Sequence, residues 1–180
     1  MKLVVERTWD DHPAGVHVEV ALRRHTDQLI IDVDAPFFDD PAPSGPPGPS
    51  PELWRHEVVE VFFLGSDERY LEVELSPRGH HLVLELHGVR EVVRQGMPLD
   101  FTATIDGERW RGRARVPLVW LPPRWDRVNA YAIHGTSQAR RYLAWRATGG
   151  DAPDFHRLEA FGAVDLDLRL NASPGSPSSW

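Results

Sequence analysis

Hydrophobic and polar residues alternate with a period of two along most of this chain. In the segment VHVEVALRR, residues 16–24, the valines and Leu22 share one side, while His17, Glu19 and Arg23 share the other. Such alternation is typical of a β-strand with one face on a core and the other face towards solvent. The same pattern predicts strands in the segments LIIDVDA, YLEVELSP, HLVLELHG, FTATID, WRGRARVP, VNAYAIHG and FGAVDLDLRL.

Turn-forming residues separate these segments. Clusters of Gly, Pro and Asp lie at residues 11–15, 65–67, 77–79 and 106–107. A helical repeat is not sustained over three turns anywhere, and only PLVWLPP is expected to form a short helical turn. About ten short strands with frequent turns predict an all-β protein, an antiparallel β-sandwich.

The segment LWRHEVVEVFF, residues 53–63, departs from the simple pattern because both of its faces are largely apolar. Val58, Glu60 and Phe62 share one face, and Val59 and Val61 belong to the other. A strand that is apolar on both faces is expected to be covered on both sides. Glu60 therefore lies where a buried carboxyl group requires a partner or a polar cleft.

Two segments are rich in Pro, Gly and Ser and do not fit a sheet interior. Residues 36–52, within APFFDDPAPSGPPGPSPE, are predicted to form a long surface loop. Residues 171–180, NASPGSPSSW, have the composition of a disordered tail. We therefore expect a single β-sandwich domain over residues 1–170.

Composition narrows the possible functions. The net charge is −7, with 27 acidic against 20 basic residues, so no nucleic-acid partner and no membrane partner are predicted. The absence of cysteine excludes disulfides, thiolate catalysis and zinc fingers. The N-terminal MKLVVERTWDD lacks the apolar core of a signal peptide, and no apolar run approaches the ~20 residues of a membrane span. A cytoplasmic location is the expectation.

Three motifs occur in a recognisable order: LWRHEVVEVFF, then YLEVELSPRGHHLVL, then PDFHRLEAFGAVDL. Together they resemble the family-nine carbohydrate-binding module and its relatives. The chain looks closer still to an uncharacterised family of small single-domain proteins, found in bacteria and animals, that is built on this fold. The resemblance implies a jelly-roll-like β-sandwich, no known catalysis, and a glycan site built from two tryptophans.

The resemblance also carries over individual residues. In the carbohydrate-binding relatives a platform tryptophan opens the W…VE-F strand and a glutamate follows six positions later, which corresponds to Trp54 and Glu60. An arginine after the next strand corresponds to Arg78, and the second tryptophan to Trp145 in LAWRA. An aromatic plane with charged hydrogen-bond partners suits the C–H face and the hydroxyls of a sugar. The alternative is that Trp54 belongs to the core and that Glu60 is a buried acid paired with an arginine.

Two histidines complete the candidate binding residues. His134 ends the segment VNAYAIHG on the face of the small alanines, where it faces either a pocket or a core ring. His156 lies beside Asp154 in PDFHRLEAFG, and a carboxylate can orient an imidazole. For both histidines a purely structural role is the alternative.

The remaining acidic and metal-binding candidates point to no catalytic or cofactor site. The pairs Glu72/Glu74 and Asp32/Asp34 are predicted to lie on the solvent side of an antiparallel sheet, although paired carboxylates also occur in glycoside hydrolysis. The nine histidines show no zinc-site spacing. Oxygen ligands for structural calcium are available at residues 32–40 or 65–67, but neither loop has a diagnostic pattern. Met97 is a weak haem candidate. No cofactor is therefore predicted.

Three functions follow from these observations. The first is non-catalytic binding of a carbohydrate or small polyol in a cleft bordered by Trp54 and Trp145. The second is a protein-interaction or scaffold module, which would use the proline-rich loop and exposed aromatic residues such as Trp110 and Trp125. The third is a sugar-processing enzyme acting through Glu60 with His134 or His156.

Overall fold

A computed structural model describes residues 1–164 and consists almost entirely of β-strands. Within these residues the strands, in chain order, are β1 Lys2–Thr8, β2 Pro13–His25, β3 Gln28–Pro36, β4 Val58–Leu64, β5 Arg69–Leu75, β6 His81–His87, β7 Val92–Gln95, β8 Asp100–Asp106, β9 Arg109–Pro117, β10 Arg127–His134, β11 Arg141–Ala144 and β12 Gly162–Ala163. Short 3₁₀ turns lie at Leu53–Arg55, Leu118–Trp120, Ser137–Ala139 and Leu158–Ala160.

The strands form one continuous antiparallel sheet that curls into two packed halves. The strand order is β7-β6-β5-β4-β10-β11-β1-β2-β3-β9-β8, and β12 adds to β10. The main core combines side chains from both halves, for example Val20 and Ile31 with Val61 and Val73. The all-β antiparallel sandwich predicted from the sequence is confirmed.

A second buried layer covers the outer face of the half formed by β4, β5, β6 and β10. Phe62, Leu84 and Tyr131 lie on this face with Phe155 and Phe161, which belong to the segment that follows β11. The chain therefore folds back over the sheet and shields strands that would otherwise face solvent. This coverage explains why the segment LWRHEVVEVFF is apolar on both faces.

The prediction that Glu72 and Glu74 form a solvent-facing side is wrong. Both side chains lie on the covered outer face and are buried, with exposed fractions of 3% and 0%. The alternation itself was recognised, but the segment that covers this face comes from a distant part of the chain. The pair Asp32/Asp34 lies on the other half of the sheet, where arginines of β9 bind both carboxylates.

The proline-rich segment forms no strand, and only Pro49 makes a bridge, to His81. The short helical turn expected in PLVWLPP is present at Leu118–Trp120. Alternation did not predict β1, β7 or β11, and the last two are only four residues long. In the predicted strand FGAVDLDLRL the structure describes β12, and residues 165–170 and the expected tail lie outside the described part of the chain.

Trp110 is not the exposed contact residue that the interaction hypothesis assumed. Its side chain is only 1% exposed and packs in the main core. The indole lies over Gly112 on the same strand, so that a Cβ atom there would be 2.8 Å from Cζ3 of Trp110 and 3.0 Å from Cε2 of Phe101. Trp125 is half-buried, and its ring meets Phe63 edge to face.

This packing makes Gly112→Ala a test of the core. The added methyl group overfills the space beneath Trp110, and we expect the free energy of unfolding to fall by about 1–3 kcal/mol. Urea denaturation followed by circular dichroism measures the change. Thr104→Val, at an exposed position of β8, serves as the control and is expected to change stability little. Equal stability of Gly112→Ala and the unmodified protein would contradict this packing.

Candidate functional site

A cavity of about 360 Å³ opens on the covered outer face of the sheet. Its base is formed by side chains of β4, β5, β6 and β10, and its sides by the 53–55 turn, the loop after β6 and the segment 153–156. The lining residues are Trp54, Glu60, Glu72, Leu84, Leu86, Arg90, Val92, Ile133, Tyr142, Pro153, Asp154, Phe155 and His156. The cavity is therefore mostly apolar, with two carboxyl groups at its base.

Strand register brings three glutamates together at this base. Glu60 on β4 lies directly opposite Glu74 on β5 and opposite Tyr131 on β10. Glu72 lies opposite Phe62, two residues from Glu74 and on the same face. One carboxyl oxygen from each glutamate lies within 4.8 Å of those of the other two.

The carboxyl groups are buried, and within residues 1–164 no cationic side chain contacts them. Glu60 is 2% exposed, and Oε1 of Glu60 and Oε2 of Glu72 have no hydrogen-bond partner among the described residues. Burial raises the pKa of Glu72 to about 8. Burial, together with the neighbouring carboxylates, also raises the pKa of Glu60 and of Glu74 well above the usual range. Burial of the cluster consequently favours the protonated form of these carboxyl groups.

Trp54 forms one side of the cavity and remains 41% exposed. It lies on the 3₁₀ turn Leu53–Arg55, which is anchored by the buried side chain of Leu53. The guanidinium of Arg140 donates hydrogen bonds to the carbonyl oxygens of Trp54 and His56. The loop before β11 therefore fixes the position of the turn that carries the indole.

A polar network forms the opposite side of the cavity. The hydroxyl of Tyr70 and Nδ1 of His156 are 2.8 Å apart, and the backbone N–H of Arg90 donates to the same hydroxyl at 3.0 Å. Arg90 also pairs with Asp154 at 2.9 Å. Burial, and next the charge of Arg90, lowers the pKa of His156 to about 4, so this imidazole is neutral near pH 7.

The structure brings only some of the sequence-predicted residues to this cavity. Trp54, Glu60 and His156 line it. Arg78 instead pairs with Asp39 of the proline-rich segment, beside the ring of Phe37.

His134 and Trp145 also lie elsewhere. The ring of His134 stacks on Phe38, with centroids 3.6 Å apart. Trp145 packs against the main core and over Gly162, where a Cβ atom would be 2.8 Å from Cη2 of the indole. The expected cleft bordered by Trp54 and Trp145 is therefore wrong. The two rings are on different sides of the sheet, because Trp145 follows β11 by one residue and packs inward.

Sequence reasoning missed several residues of the cavity. The sequence pattern predicts a solvent face for Glu72 and no binding role for Tyr142, Phe155 or Arg90. The sequence does contain a signal for the burial of Glu72. Its strand, β5, has one fully apolar face, and it pairs with β4, whose two apolar faces predict burial on both sides. Tyr142 and Arg90 carry no local signal, because tertiary packing alone brings them to the cavity.

The residues considered for calcium or haem have other contacts. Among the acidic residues of the 32–40 region, Asp32 and Asp34 bind arginines, and Oδ2 of Asp40 accepts the N–H of Gly135. Asp67 pairs with Arg69. Met97 is buried in the main core, away from the cavity.

Comparison with known proteins defines the class of this fold. No family model matches the chain. A putative carbohydrate-binding protein from Bacteroides uniformis superimposes with a TM-score of 0.69 at 20% identity, covering 91% of this chain and 84% of that one. A family-nine carbohydrate-binding module from Caldicellulosiruptor kristjanssonii in complex with glucose gives a TM-score of 0.57 at 14% identity, covering 95% and 86%. The fold is that of family-nine carbohydrate-binding modules.

Sequence relatives identify the family more narrowly. The UPF0462 protein C4orf33 homolog of Danio rerio is 44% identical over 99% of this chain and 96% of its own length. The human UPF0462 protein C4orf33 is 41% identical over 99% of this chain and 95% of its own length. The chain belongs to the UPF0462 family. Among its described residues, no helix has the length and hydrophobicity that crossing a membrane requires.

The buried glutamates predict a loss of stability with rising pH. Between pH 4.5 and about 8 the folded protein holds a proton on Glu72 that the unfolded chain has released, so unfolding becomes more favourable as the pH increases. One such carboxyl gives a slope of about 1.4 kcal/mol per pH unit. The histidines whose pKa burial lowers, such as His156, contribute a slope of the opposite sign near pH 6.5, because the unfolded chain still binds protons there. This contribution is common to all variants and cancels in a comparison between them.

Urea denaturation at several pH values from 6.5 to 8 measures this slope. We expect the stability of Glu72→Gln to decline less steeply with pH, because a neutral amide replaces the titrating group. Glu108→Gln, at an exposed position, is the matched control and should keep the original slope. If Glu72→Gln and Glu108→Gln gave the same slope, the assignment of the titration to the buried cluster would fail.

Proposed function

We propose that this protein binds a carbohydrate or small polyol, without catalysis, in the cavity beside Trp54. The observation that carries this proposal is the convergence of an accessible indole and two buried carboxyl groups on one open cavity. A sugar presents an apolar C–H face that packs on an aromatic ring and hydroxyls that need fixed hydrogen-bond partners. The unpartnered oxygens of Glu60 and Glu72 supply such partners at the base.

The size and lining of the cavity support a small ligand. A volume of about 360 Å³ lies at the lower end of the range for small-molecule sites. Much of the lining is apolar, through residues such as Leu86, Ile133 and Phe155, while two carboxyl groups lie at the base and the remaining polar groups lie at one side. The solved structures with this fold include a family-nine module in complex with glucose and another with cellotriose. These ligands belong to those proteins and support the proposal by analogy of fold.

The two competing functions have less support. The proline-rich segment does not contribute to the lining of the cavity, so it leaves the cavity open to a ligand.

Hydrolysis of a glycoside requires two carboxyl groups on either side of the scissile bond. Glu60 and Glu72 instead extend side by side from one face of the sheet, with oxygens within 4.8 Å. This arrangement suits the recognition of one group of the ligand and does not place it between an acid and a base.

Substitution of the aromatic platform tests the proposal. We expect sugars that bind the unmodified protein, in a panel of mono- and oligosaccharides, to shift its tryptophan fluorescence. Trp54→Ala should weaken that binding by about tenfold or more, because the stacking surface is lost. Isothermal titration calorimetry gives the affinities of both proteins.

The fold should survive this change, because Trp54 is 41% exposed. Trp54→Phe is expected to retain part of the affinity, and Val119→Ala, at an 88% exposed position outside the cavity, all of it. Circular dichroism confirms folding in each variant. Undiminished binding by folded Trp54→Ala, or no binding of any sugar in the panel, would refute the proposed site.

A further inference from the structure

We propose that the preferred ligand carries a protonated amine, and that Glu60 and Glu72 hold this ammonium group at the base of the cavity. The chemical class is an amino sugar or an amine-bearing polyol. This inference rests on the proposed function and names the ligand class of the same cavity. It depends on four features of the site: unpartnered carboxyl oxygens, cations that are engaged elsewhere, the spacing of the oxygens, and an exposed aromatic face.

The carboxyl groups at the base lack the partner that buried acids normally have. Buried carboxylates are almost always paired, because removing a charge from water is costly. Glu60 and Glu72 are at least 97% buried, and each has an oxygen without a hydrogen-bond partner among the described residues. Both side chains line the cavity, whereas Glu74, opposite Glu60 on the neighbouring strand, does not. A cationic ligand would supply donors and the opposite charge together, and the carboxyl groups that burial keeps protonated would release their protons to water as the ammonium group binds.

The cationic side chains near the base are engaged with other groups. Arg140 acts on Glu60 only through its charge, and its guanidinium binds the carbonyl oxygens of Gly135 at 2.9 Å and of His56 at 3.3 Å. Arg90, at the edge of the cavity, pairs with Asp154. Neither arginine donates a hydrogen bond to the carboxyl cluster. The base therefore presents acceptors to the ligand.

The spacing of the acceptors suits a single ammonium group. Two oxygens that each lie about 2.8 Å from one nitrogen are separated by at most about 5.6 Å. The nearest oxygens of Glu60 and Glu72 meet this condition, since they lie within 4.8 Å of each other. An ammonium group donates up to three hydrogen bonds, whereas a sugar hydroxyl donates one. The amine consequently satisfies both carboxylates where a hydroxyl satisfies one.

The sides of the cavity also favour a cation. The exposed indole of Trp54 offers the aromatic face that binds cations most strongly. A second aromatic ring of the cavity, that of Tyr142, makes a cation–π contact within the protein itself, with the guanidinium of Arg140 5.8 Å from the ring centroid. A volume of about 360 Å³ leaves room for a ligand larger than an ion, with the carbon skeleton against the apolar sides.

Three related monosaccharides test this inference without any mutation. Glucose, glucosamine and N-acetylglucosamine share a ring and differ in carrying a hydroxyl, an amine or a neutral acetamide. In calorimetric titrations at pH 7 with a chelator present, we expect glucosamine to bind at least about tenfold more tightly than the other two, because charge-assisted hydrogen bonds are the stronger ones. Glu72→Gln should abolish this preference, and the exposed control Glu108→Gln should keep it.

Each result has a distinct meaning. Equal affinity for glucose and glucosamine would overturn the inference and leave the proposed function intact. If neither these three sugars nor any other sugar in the wider panel bound to the protein, both the inference and the proposed function would be overturned. Binding of glucosamine alone would support the inference and restrict the function to amines.

Two further results complete the test. If Glu72→Gln failed to fold, Glu60→Gln and the comparison among the three sugars would still decide the question. A titration with calcium or magnesium chloride alone, in the absence of chelator, addresses a metal ion. Binding of either ion that is lost in Glu72→Gln would assign the carboxyl groups to a metal and overturn the inference.

Discussion

The candidate site depends on the burial of both faces of strands β4, β5, β6 and β10. One face packs on the main core, and the other is covered by the segment that follows β11. Because this second layer is incomplete above Glu60 and Glu72, it leaves a cavity whose base is a sheet and whose sides are loops. The rigidity of a paired sheet fixes the carboxyl groups, and the loops determine which ligands can enter.

The two halves of the sheet handle acidic residues in opposite ways. On the outer face of β3, Asp34 lies between arginines of β9 and remains partly exposed. On the covered face of β4 and β5, no arginine of the described part of the chain contacts the glutamates, and burial shifts them towards the protonated form. Surface pairs of the first kind contribute little to stability. A cluster of the second kind costs stability, which favours a functional explanation for its presence.

Sequence alone was sufficient for the fold and for part of the site. The period-two alternation predicts most strands because most of them have one face on the main core, as in β2. The doubly apolar strand around Glu60 predicted a covered, polar position, and the structure places Glu60 there, 2% exposed. Trp54 and His156 were selected by motif and also line the cavity.

The remainder could not be predicted because it depends on contacts between distant segments. Which face of β5 is covered is determined by Phe155 and its neighbours, about eighty residues later in the chain. Arg78 and Trp145 match a family pattern, yet Arg78 pairs with Asp39 and Trp145 packs over Gly162, both away from the cavity. Spacing along one chain does not reveal which side of a curled sheet such a residue reaches.

The ion pair between Arg90 and Asp154 joins two loops at the edge of the cavity, and it is accessible to solvent. Dissolved ions screen such a contact, so these loops are held together less firmly as ionic strength increases. The ion pair at the edge of the cavity thus responds to the surrounding medium, while the carboxyl groups at the base are insulated from it. A change in the salt concentration is therefore expected to affect these two loops more than it affects the geometry of the buried carboxyl groups.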